Sequence, residues 1–65
     1  MTRMRKAIYL QSQGEDIKWH YYQGPNQGRI FFDEINGEKF KCTPTDQKEA
    51  NKLIDLLYRD WTREQ

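Results

Sequence analysis

The stretch "IKWHYYQGPNQGRIFF", residues 17–32, constrains the fold more than any other part of this chain. Two runs of bulky residues flank a turn rich in glycine and proline, the pattern of a β-hairpin with one buried face. Closing the hairpin at Gln23 opposite Gly28 sets Tyr21 against Ile30 and Trp19 against Phe32. The reverse face then pairs His20 with Phe31, Tyr22 with Arg29 and Lys18 with Asp33. Apolar partners share one face and an opposite-charge pair falls on the other, as cross-strand pairing prefers.

The neighbouring segments extend this register. A two-residue loop at Gln13-Gly14 sets Leu10 against Ile17 and Ile8 against Trp19, on the Trp19 face. At the last turn, a three-residue loop, Ile35-Asn36-Gly37, pairs Phe32 with Phe40, Ile30 with Cys42 and Asp33 with Lys39. The shorter Asn36-Gly37 loop is the stronger local signal. It sets Phe40 against Asp33, however, so agreement between faces favours three residues.

A helix follows. In "TPTDQKEANKLIDLLYRDWTREQ", Ala50, Leu53, Ile54, Leu57 and Trp61 recur at helical spacing. Thr43 suits the cap, Pro44 the first helical position, and Asp46 the returned hydrogen bond of the first turn. The expected fold is α+β: a four-stranded antiparallel meander (5–12, 16–23, 28–34, 38–43) with one C-terminal helix (44–63) on one face. Ile8, Leu10, Ile17, Trp19, Tyr21, Ile30, Phe32, Phe40 and Cys42 would meet the helix. The 65 residues make a single small domain, with residues 1–4 open to disorder.

If so small a core needs support, self-association is the kind to expect. The lone Cys42 excludes an internal disulfide, and one His with one Cys falls short of the four ligands of a structural zinc site. Neither a cofactor nor a metal is therefore expected. No apolar run reaches the length of a membrane span, and the expectation is a cytoplasmic protein. The net charge of +1 names no partner.

Placement says more than bulk charge. The outer face would collect Tyr9, Lys18, His20, Tyr22, Arg29, Phe31, Lys39 and Lys41. Bases stack on exposed rings while Lys and Arg neutralise phosphate, so this face is expected to contact nucleic acid. The alternative is a protein-interaction or inhibitor module of the phage or plasmid accessory kind, with a homodimer through the same face. Catalysis is not expected: on a flat sheet His20 has a carboxylate near it but no nucleophile in line and no cleft.

Two resemblances bear on this. Trp19, Gly28-Arg29, Phe31-Phe32, Asn36 and Pro44 resemble a WW domain, but Cys42 stands near the place of the second, ligand-binding tryptophan. A fourth strand and a long helix also lie outside that fold, so proline-peptide binding is rejected. "KWHYY", "NGEKF" and "TPTDQKEA" resemble the three-strands-plus-helix arm-binding domains of phage-type integrases. That resemblance implies a sheet entering a DNA groove.

Overall fold

Residues 2–22 and 29–63 are described by the computed structural model. The elements run α1 (Arg3–Ser12), β1 (Ile17–Tyr21), β2 (Ile30–Ile35), β3 (Glu38–Lys39) and α2 (Pro44–Arg63). The protein is α+β with an antiparallel sheet, but three strands in the order β1-β2-β3 and two helices replace the expected four strands and one helix.

The expected first strand is α1. Arg, Met, Lys, Ala, Leu and Gln, all good helix formers, supply most of "RMRKAIYLQS". Thr2 caps the start, its Oγ1 accepting from the Arg5 N–H at 3.3 Å. The end is a Schellman motif: Glu15 N–H donates to Leu10 C=O at 3.0 Å and Gly14 N–H to Gln11 C=O at 3.1 Å. Gly14, at φ 103°, takes the left-handed position that motif requires. Residues 2–4 are thus the cap and first turn of α1. The burial differs accordingly. A strand would bury Ile8 and Leu10, two apart; the helix buries Ala7 and Leu10, three apart, and leaves Ile8 49% exposed.

Across the central hairpin the register follows the sequence pattern. Trp19 faces Phe32, His20 faces Phe31 and Tyr21 faces Ile30. Tyr22 N–H donates to Arg29 C=O at 2.9 Å. The turn itself, with its closure at Gln23 and Gly28, lies outside the described residues. Before Trp19 the pairing shifts, because Lys18 faces Glu34 and Ile17 faces Ile35, leaving Asp33 as the extra residue of a β-bulge. Lys18 therefore pairs with Glu34, at 3.6 Å, and not with Asp33.

The bulge also decides the last turn. Ile35 faces Glu38 and Glu34 faces Lys39, so the loop is the two-residue Asn36-Gly37. Asn36 at φ 50° and Gly37 at φ 92° supply the two positive values of a type I′ turn. The three-residue loop and its pairs Phe32–Phe40, Ile30–Cys42 and Asp33–Lys39 are not formed. Phe40 N–H donates to Asp33 C=O at 2.9 Å. The face conflict that argued against the short loop disappears once Asp33 is extra: Phe40 enters the core and Cys42 stays exposed.

α2 has the expected bounds and cap, with Thr43 Oγ1 accepting from Asp46 N–H at 3.3 Å. The Asp46 carboxylate accepts from Lys41 N–H at 2.9 Å, bracing the approach to the helix. Ala50 and Ile54 are fully buried, with Leu53, Leu57, Tyr58 and Trp61 packed around them. Phe32, Leu10, Ile35 and Ile54 are the largest fully buried side chains, each contributing ~1.5–3 kcal/mol. Tyr21 departs from the expected core, being 54% exposed.

Two polar fixtures hold these layers in place. Among the described residues no strand lies beside β2 beyond Glu38–Lys39, and buried Gln47 of α2 takes that place. Its Oε1 accepts from Phe32 N–H at 2.9 Å, and its Nε2 donates to Phe32 C=O and to Lys41 C=O, both at 2.8 Å. At the opposite corner Glu15 accepts from Trp61 Nε1 at 3.1 Å and from the Asn36 side chain. Asn36 in turn exchanges hydrogen bonds with the Asp16 backbone, at 2.9 and 2.7 Å.

Candidate nucleic-acid interface

Seven of the eight expected contact residues lie on strands β1 to β3 or their flanks; Tyr9 does not. It belongs to α1, where its ring meets Tyr58 of α2 edge-on at 5.5 Å. Lys6 completes this helix–helix contact, 3.1 Å from Asp55 and over the Tyr58 ring. Tyr9 was misplaced because the strand reading of its segment set it opposite Lys18.

The remaining residues divide into two groups. Lys18, Glu34 and Lys39 form one cross-strand row, in which Lys18 is held by Glu34. Further along, Phe31 sits between His20, at 5.8 Å between ring centres, and Tyr22, edge-on at 5.5 Å. Arg29 follows, exposed, beside Tyr22. Lys41 is exposed on the link to α2, its backbone tied to Asp46 and Gln47.

A groove of about 480 Å³ opens where the uncovered margin of β2 meets α2. Arg3, Arg29, Lys48 and Lys52 line it together with Phe31. Among the described residues none of these four cations enters an ion pair, whereas Asp55, the acid in the lining, is paired with Lys6. Positive charge therefore concentrates at the Arg29 end of the sheet. Sequence reasoning expected a flat face and missed Lys48 and Lys52, which read as part of a solvated helix side. Their position follows from the phase of α2: they sit one and five residues beyond Gln47, which is fixed on the sheet margin.

The bulge and the short turn create a second cluster. His20 Nδ1 lies 2.8 Å from Asp33 Oδ2, and its Nε2 lies 3.9 Å from Cys42 Sγ. A thiol thus stands beside His20, near the ring nitrogen that Asp33 does not hold. The inward reading of Cys42 carries the strand on past Lys39; β3 ends there, so Cys42 lies on the link to α2 and is exposed, although Phe40 two residues before it is buried.

No helix among the described residues is long and apolar enough to cross a membrane. Comparison with family models, with curated proteins and with solved structures finds no match for this chain.

Proposed function

We propose that this protein is a small non-catalytic module that binds nucleic acid at the Arg29 end of its sheet. The observation that carries this reading is the convergence of Arg3, Arg29, Lys48 and Lys52 on a groove that also exposes Phe31. Four cations with no carboxylate partner among the described residues attract a phosphate backbone by releasing its counterions. Phe31 and Tyr22 offer ring surface to a base at the same place, worth ~1–3 kcal/mol per stacked base. Lys18 and Lys39 share a row with Glu34 and add less. Catalysis is not part of this reading, since the His20 and Asp33 side chains are 47% and 44% exposed and water is not excluded from them.

Binding to mixed pools of single- and double-stranded DNA and RNA tests the proposal. Affinity should fall steeply with salt, and a contact to about three or four phosphates on a single strand gives a log–log slope of roughly −2 to −3. Arg29→Ala with Phe31→Ala should abolish binding, while Lys18→Ala should leave it nearly unchanged. No binding to any pool at low salt, or binding indifferent to Arg29 and Phe31, overturns the reading.

A further inference from the structure

The Cys42–His20–Asp33 cluster fits a role that nucleic-acid binding leaves unused. A tetrahedral zinc ion with Zn–S of about 2.3 Å and Zn–N of about 2.0–2.1 Å spans its sulfur and nitrogen ligands by about 3.6 Å. Cys42 Sγ and His20 Nε2 stand 3.9 Å apart, so an ion fits between them with a shift of a few tenths of an ångström. The three donor atoms of the cluster lie within 4.8 Å of one another. Asp33 binds the far ring nitrogen at 2.8 Å, and a carboxylate accepts hydrogen bonds. In the neutral imidazole that zinc binds, an Nδ1–H donated to Asp33 leaves the lone pair on Nε2, the nitrogen nearer the thiol; this is the outer-shell arrangement that orients zinc-bound histidines.

One chain supplies two ligands, and zinc takes four. Both ligands sit exposed, His20 on β1 and Cys42 on the link between β3 and α2, at the rim of the groove. We infer that Zn²⁺ is held between two copies of this chain, each contributing Cys42 Sγ and His20 Nε2. Two thiolates and two neutral imidazoles balance the charge of the ion. The two thiol protons pass to solvent, and no electron is transferred. The site is incomplete without the second copy, and the shared ion supplements the core of so small a domain.

Titration with Co²⁺ and Zn²⁺, without nucleic acid, tests this. Wild-type protein should develop sulfur-to-cobalt charge-transfer absorption and intense tetrahedral visible bands, saturating at one ion per two chains. Sedimentation should shift from monomer to dimer with zinc and return with a chelator. Cys42→Ser and His20→Gln, both at exposed positions, should each remove the dimer; Asp33→Asn should weaken zinc about 10- to 100-fold at unchanged stoichiometry. Arg29→Ala should retain the zinc response, which separates this test from that of the groove. Absence of the sulfur band, binding that survives Cys42→Ser or His20→Gln, or one ion per monomer without dimerisation overturns the inference.

Discussion

α1 and α2 are both started by a threonine and packed into one core, yet one reads as a strand and the other as a helix. α2 has twenty residues and an apolar stripe repeated over several turns, so its period is unmistakable. α1 has ten, and apart from Met4 its apolar residues are the contiguous "AIYL". Over so short a run the period-two choice of Ile8 and Leu10 fits as well as the period-three choice of Ala7 and Leu10. Its ends carried the missing information. A threonine cap at one end and Gly14 at the other mark a helix, while Gln13-Gly14 also reads as a hairpin loop. A short helix is specified by its termini and a long one by its face.

Three substitutions sharpen that contrast. The largest effect is expected in α2, where Gln47→Ala leaves two Phe32 backbone groups and the Lys41 carbonyl without their partner. Chemical denaturation should show a loss of about 2–3 kcal/mol. A loss below about 0.5 kcal/mol would mean that α2 is held by its apolar face alone. Next, Gly14→Ala should cost about 1 kcal/mol, because its φ of 103° disfavours a Cβ. The space around that Cβ is open, so the cost belongs to the backbone and reports directly on the end of α1. The smallest effect is expected at Ile8→Ala, under about 0.5 kcal/mol at an exposed helix position. If position 8 faced the core from a strand, the same change would cost ~2–5 kcal/mol, and helical content by circular dichroism would be correspondingly lower.

The central hairpin shows how far alternation alone carries. Its pairings from Trp19 to Tyr22 and from Arg29 to Phe32 were legible, since bulky residues on both strands agree on one register, although Tyr21 lies too near the hairpin end to be buried. Asp33 broke that register, and no feature of "FFDEING" marks a bulge in advance; Asp33 and Glu34 are equally good partners for Lys18 by charge. Because the bulge was invisible, the correct turn looked wrong; the early end of β3 at Lys39, which leaves Cys42 exposed beside His20, was equally unmarked. The groove was hidden for a different reason: it depends on where α2 docks along β2, which Gln47 fixes and which periodicity does not specify. The neighbours His20–Phe31 and Tyr22–Arg29 follow from the register, while Arg3, Lys48 and Lys52 meet Arg29 and Phe31 only through tertiary structure.

Gln47 has a consequence beyond anchoring a helix. A bare β-strand margin is a template on which a foreign strand can grow, and sheets that leave one open tend to polymerise. By occupying both Phe32 backbone groups with a side-chain amide, the protein denies that template at the middle of β2 without adding a strand. Growth along the hydrogen-bonding direction is blocked at that point of β2, by one amide side chain reaching in from a helix.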